Sequence, residues 1–211
     1  DPGKAFKENP RKELTIDLIH DAVGPLYGHV GEEGDGNEVA RSHTEQHMRV
    51  SGSLKLGDED AISINGWGLR DHSWGPRYWQ ATPSYRWITG NFGDDLGMVI
   101  TCGANGEGRG LFHEGEEIIR VEKAVLSTEY LENTLYHRKL SIDLDLADGR
   151  KRHLDGKVMG YIPLRNRRAG ANTHVGEGMT EYTLDDGRKG YGLSEYLTQP
   201  DDQGLEGERT E

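Results

Sequence analysis

The sequence is short of cysteine, of apolar residues and of positive charge, and each shortage removes a class of protein. Cys102 is the single cysteine, so no disulfide forms within the chain and no cysteine-based zinc site can be built. That usage reads as a reducing compartment, with a cytoplasmic location as the expectation. Cys102 lies in an apolar run and reads as a small buried hydrophobe. No run of 18 apolar residues occurs, so no membrane-spanning helix is expected. Lys and Arg total 25 against 37 Asp and Glu, a formal net charge of -12. Such a surface repels nucleic acid and anionic lipid, so neither is an expected partner. The GxxxxGK phosphate loop, a GxGxxG between strand and helix, and the GxSxG elbow are all missing. The glycine-rich "GANGEGRG" (Gly103–Gly110) falls between strands and reads as a hairpin loop. The first residue is Asp1 rather than Met, which reads as a processed product or a piece of a longer protein.

What is present is a period of two. Few apolar residues (33%) and many glycines (30 of 211) can signal disorder, but here the apolar residues fall in alternating runs. "LSIDLDL" puts Leu140, Ile142, Leu144 and Leu146 on one face and Ser141, Asp143 and Asp145 on the other. That is a half-buried antiparallel strand, and Asp148-Gly149 turns the chain after it. The same reasoning predicts strands over Glu13–His20, His43–Leu56, Asp60–Leu69, Ser84–Phe92, Leu96–Cys102 and Gly108–His113. It continues with Glu116–Ser127, Leu135–Leu146, Lys151–Tyr161, Gly176–Leu184 and Lys189–Leu197. Only "KAVLSTEYLENTLYH" has a mixed period. Roughly ten strands at hairpin spacing, with little helix, predict an all-β fold: an antiparallel β-barrel or a sandwich. A closed barrel of this size can hold one apolar ligand in its lumen. Residues 1–12 read as a charged lead-in, 13–198 as the barrel domain and 199–211 as a disordered tail; "GEEGDGNE" (Gly31–Glu38) is an acidic loop.

Three stretches break the plain alternation. In "INGWGLRDHSWGPRYWQ" (Ile64–Gln80), Asp71 keeps the strand parity of Trp67 and Leu69, ahead of a turn at Trp74-Gly75-Pro76. Out of water and beside aromatic rings, Asp71 is a raised-pKa proton donor. Paired with Arg70 or Arg77 it is an ionised structural group. The residue types leave both roles open. In "HTEQH", His43, Glu45 and His47 share one face. Two histidines and a carboxylate can hold a divalent metal, but spacing marks no further ligand, so this face reads as a polar wall and no metal is expected. Among the aromatics, Tyr85 and Trp87 share a face, and with Trp67 and Trp74 they read as core or as a ligand-pocket wall. In "GYGLSEYL" (Gly190–Leu197), Glu195 shares the face of Leu193 and Leu197. If that face is inward, Glu195 is a buried carboxylate that needs a partner such as Arg70 or Arg77.

Together, "HTEQHMRVSGSLKL", "INGWGLRDHSWGPR" and the late "GYGLSEYL" resemble the carotenoid 1,2-hydratase (hydroxyneurosporene synthase) family and its AttH-like relatives. The resemblance spans about residues 40 to 198, with the RDxSWGxR-type motif its most specific part. It implies a lipocalin-like barrel equivalent to the C-terminal one of two, and so an N-terminal lipocalin-like partner domain. It also implies cofactor-independent chemistry: an acid protonates a terpenoid double bond, aromatic residues stabilise the cation, and water captures it. The matching donor is Asp71, and His43 matches the assisting histidine. Glu45, Trp67, Trp74, Tyr85 and Trp87 are then ligand-binding. The chain departs from the family at Leu69, where an aromatic residue stands, and at Thr44 and Glu45 after His43. Two readings follow. One is acid-catalysed hydration, cyclisation or isomerisation of a terpenoid or other apolar alkene in the barrel lumen. The other is a non-catalytic binder of a terpenoid, steroid or fatty acyl ligand, in which Arg70, Asp71, Arg77 and Glu195 form a structural network at a salt-bridged corner.

Overall fold

The computed structural model describes residues 11–30, 40–76, 82–168 and 171–199. The lead-in up to residue 10, the acidic loop, Arg77, Tyr78, Trp79 and the tail from residue 200 lie outside the described residues. Twelve strands run in chain order: β1 (Leu14–Ala22), β2 (Tyr27–Val30), β3 (Ser42–Leu56), β4 (Ile62–Trp74), β5 (Ser84–Asn91) and β6 (Leu96–Cys102). They continue as β7 (Glu107–Glu114), β8 (Glu117–Tyr130), β9 (His137–Leu146), β10 (Lys151–Arg168), β11 (Ala171–Leu184) and β12 (Lys189–Thr198). The fold is all-β, as the alternation predicts.

Strands β5 to β12 form a closed antiparallel barrel in which each strand pairs with its chain neighbours and β12 pairs back to β5. Tight turns set this order. In the two DGRK hairpins, Asp148 accepts from the Arg150 amide and Asp186 from the Arg188 amide, while Gly149 and Gly187 take positive φ. Eight strands enclose a space that side chains fill. Leu140, Ile142, Leu144 and Leu146 all point in, against Ile88, Met98, Ile100, Phe112, Leu154 and Tyr182. Cys102 joins this core, and burial pushes its thiol up to about 11.

The remaining four strands form a second sheet on the barrel's flank. β4 pairs along one edge of β3, while β1 and β2 lie end to end along the other. The sheet covers the outer side of β6, which is why "LGMVITC" is apolar on both faces rather than alternating. Gly97 makes the close approach: a Cβ there would lie 2.4 Å from His113 Nε2 and 2.7 Å from His47 Nε2. Two expectations change. The barrel is residues 84–198 rather than 13–198. The strand carrying the motif runs on to Trp74, because β3 offers it a continuous ladder as far as Ser42.

Candidate functional site

The flanking sheet and the barrel wall meet along one polar seam. On β3, alternation turns His43, Glu45 and His47 toward the barrel, as the sequence predicts. The register then fixes their neighbours: Tyr27 and Asp71 are the cross-strand partners of Glu45, one on each side. Gly28 lets β2 close on β3 here, since a Cβ would lie 2.1 Å from the His43 carbonyl oxygen. From the barrel side, Trp87 donates its indole N–H to Glu45 Oε1 at 2.9 Å.

His43 sits between two carboxyl groups. Its Nε2 lies 2.7 Å from Asp71 Oδ1 and 3.6 Å from Glu45 Oε1. The two acids differ in environment: Glu45 is 6% exposed, whereas the Asp71 side chain is 47% exposed. Desolvation holds the Glu45 carboxyl above its ordinary value; His43 and the Trp87 hydrogen bond lower it, and Asp71 raises it. Burial also raises the Tyr27 phenol, with Glu45 and Asp71 adding to the effect. The seam therefore combines a buried carboxyl whose pKa is raised, an imidazole hydrogen-bonded to a second carboxyl, and an indole donor.

A second acid pair lies beyond Trp87. Glu195 is the cross-strand partner of Trp87 on one side and of Glu177 on the other. Tyr85 donates its hydroxyl to Glu195. Burial, with Glu195 close by, pushes Glu177 up to about 7.

The structure thus brings together His43, Glu45, Asp71, Tyr85, Trp87 and Glu195, but not in the lumen. Tyr85 and Trp87 point outward from β5, and the other sheet residues never enter the barrel. The expected lumen site is corrected to a seam outside it, because odd-numbered β5 positions face the flanking sheet while Arg86 and Ile88 face in. Trp67 is held elsewhere: its indole donates to Asp94 at 2.7 Å, beside the Arg49–Asp94 ion pair. Trp74 and Arg70 lie on the opposite face of β4, where Trp74 packs on His72 and Arg70 bonds His72 Nδ1 at 2.9 Å. Of the expected Arg70–Asp71–Arg77–Glu195 network, Arg70 faces away from Asp71, since adjacent strand residues face opposite sides, and Glu195 accepts from Tyr85; Arg77 lies outside the described residues. His47 parts from His43 and Glu45 by sinking to 0% exposure against His113, ring centroids 4.7 Å apart. Sequence reasoning missed Tyr27 and Glu177. Tyr27 sits in a four-residue strand too short to show a period, and Glu177 gains meaning only from its register with Glu195.

Among the described residues, no group of three or more His, Cys, Asp or Glu is placed to hold a metal ion. No helix among them is long and apolar enough to cross a membrane. A family model described as a domain of unknown function (DUF7064) matches residues 5–200. No curated protein and no solved structure matches the chain.

Proposed function

The chain belongs to the DUF7064 family, a membership that assigns no chemistry, and from the seam's geometry we propose a cofactor-independent acid catalyst acting on a terpenoid or other apolar alkene. The carrying observation is a desolvated Glu45 carboxyl touching Trp87 and flanked by the His43–Asp71 pair. The family resemblance gives the donor role to Asp71; in this proposal the donor is instead Glu45, across the strand pair, because burial holds its carboxyl above the ordinary value. Glu45 passes its proton to the double bond, and the cation forms beside the Trp87 and Tyr27 rings. His43, steadied by Asp71, orients a water onto the cation. The resulting oxonium returns one proton to the Glu45 carboxylate, so the alkene and water become a tertiary alcohol with the acid regenerated. Loss of a carbon-bound proton instead gives isomerisation, and attack by a second double bond gives cyclisation.

The substrate end of the seam and any further domain are part of the same proposal. Leu14, Ile16 and Ile19 on β1 are more than half exposed. Among the described residues nothing pairs with the outer edges of β1 and β4. An N-terminal lipocalin-like domain would cover them. The test is turnover of isoprenoid alkenes of sesquiterpene to carotenoid length in D2O, read by mass spectrometry. Deuterium incorporation that Glu45→Gln abolishes, in a protein with an unchanged circular dichroism spectrum, supports the proposal. Full incorporation by folded Glu45→Gln, or none by the native protein together with the partner domain, overturns it.

We also infer a second reading, favoured by the half-exposed Asp71 paired with His43. There the seam is a structural joint, and the protein binds an apolar ligand without transforming it.

A further inference from the structure

Arg86 pairs with no carboxylate among the described residues. It lies on β5 with its side chain turned into the barrel, between its cross-strand partners Cys102 and Tyr196. The guanidinium stands 4.6 Å over the Tyr196 ring. Its Nη1 donates to the carbonyls of Tyr85 and Leu197 at 2.9 Å and to Thr198 Oγ1 at 3.4 Å. These contacts fix the group without neutralising it, and no described acid forms an ion pair with it. Elsewhere acids are plentiful at arginines: Arg150 holds Glu114 and Asp148, and Arg152 holds Asp185 and Asp186. A partly buried charge left unpaired keeps its desolvation cost, in a chain with 37 acids to choose from.

Beside this guanidinium the open end of the barrel keeps a cavity of about 30 Å³, lined by Arg86, Tyr130, Tyr136, Tyr161, Tyr196 and Pro163 among others. Gly176 helps shape it, since a Cβ there would meet the Tyr161 hydroxyl. A water needs roughly 10–15 Å³ by this measure, so the space suits about two oxygen atoms. That matches a carboxylate and is too small for an acyl chain. Leu131, next to Tyr130, and Leu164, which itself lines the cavity, are 43% and 49% exposed and make an apolar edge beside it.

We propose that the open end of the barrel binds the carboxylate of an amphipathic acid, with Arg86 as its counter-ion and its apolar chain leaving past Leu131 and Leu164. This site is independent of the seam. Tyr85 and Trp87 turn outward to the flanking sheet, and Arg86 turns inward through the same strand. A guanidinium–carboxylate contact in an aromatic surround is a strong charge-assisted pair.

Isothermal titration calorimetry at about pH 7.5, with decanoate and methyl decanoate below their aggregation limits, tests it. Decanoate should bind at least about tenfold more tightly than the ester, the loss expected for one charged contact. Arg86→Met should bring both ligands to the ester's level. Equal affinity for acid and ester in the native protein, or no binding of decanoate, overturns the proposal, as does a folded Arg86→Met that keeps the preference. Should Arg86→Met fail to fold, the acid–ester comparison decides alone. Decanoate has no double bond, so its binding is separable from alkene turnover.

Discussion

Glu45 on β3 and Asp71 on β4 are direct cross-strand partners, and the ring nitrogen of His43 lies 3.6 Å from one and 2.7 Å from the other. One pleat therefore holds a buried acid and a half-exposed acid on either side of one imidazole. In the proposed reaction, their unequal solvation separates the proton donor from the positioning group.

Asp71→Asn should keep the fold and lose turnover. The Asp71–His43 pair is near the surface, so its removal should cost under about 1 kcal/mol in a denaturant titration. Alkene turnover should fall by roughly 10²-fold or more, because the imidazole loses its orienting carboxylate. A large loss of stability with activity per folded molecule intact would place Asp71 in the framework instead.

Glu177 gives a pH signature. Its folded carboxyl is pushed up to about 7, above the ordinary glutamate value of 4.5. The folded state therefore binds this proton more tightly, so the contribution is fully present below about pH 4.5 and is lost as pH rises through about 7. Glu177 is partly solvated, so about 1 kcal/mol is expected after screening. The difference in unfolding free energy between the native chain and Glu177→Gln should change by that amount across this window. A flat difference would mean that the two carboxyls do not share a proton.

His47 should act in the opposite sense. Burial, with His113 beside it, lowers its ring to about 4 from an ordinary 6.5. The unfolded chain then takes up the proton first, so stability is present above about pH 6.5 and is lost as pH falls through about 4. Up to about 3 kcal/mol is at stake for a fully buried ring. His137 is lowered to about 4 by burial as well and adds a similar loss. His47→Phe should remove its own share, seen as a smaller drop in stability between about pH 7 and pH 4. An unchanged drop would rule out His47 as a source.

Gly97→Ala should wedge the flanking sheet from the barrel. Its Cβ would fall within 2.7 Å of ring atoms of both His47 and His113, and both rings are fully buried. Overpacking of this kind costs about 1–3 kcal/mol. Amide exchange should rise in β3 and β4 and stay unchanged in β8 to β10. Uniform destabilisation of both layers would show that they unfold as one unit.

Strand existence was legible in the sequence because a two-residue period depends only on which side chains must leave water. Eleven of the strands follow from it, and Leu140, Ile142, Leu144 and Leu146 are all within 5% exposure. Polar residues sharing a face, such as His43 with Glu45 and Tyr85 with Trp87, were legible for the same reason. The meeting of Asp71 with His43 was expected only through the family resemblance.

Tertiary structure decided which strands close the barrel and what lies across each ladder. Period alone cannot say that β12 returns to β5, since closure depends on twist, tilt and register summed over eight strands. It cannot place β1 to β4 outside, because a strand covered on one face reads alike in a barrel wall and in a flanking sheet. The seam follows from that placement: Glu45 becomes buried, Trp87 becomes its donor and Arg86 is left facing the barrel interior. The sequence by itself determined the faces, through local parity; only long-range packing determined what each face meets.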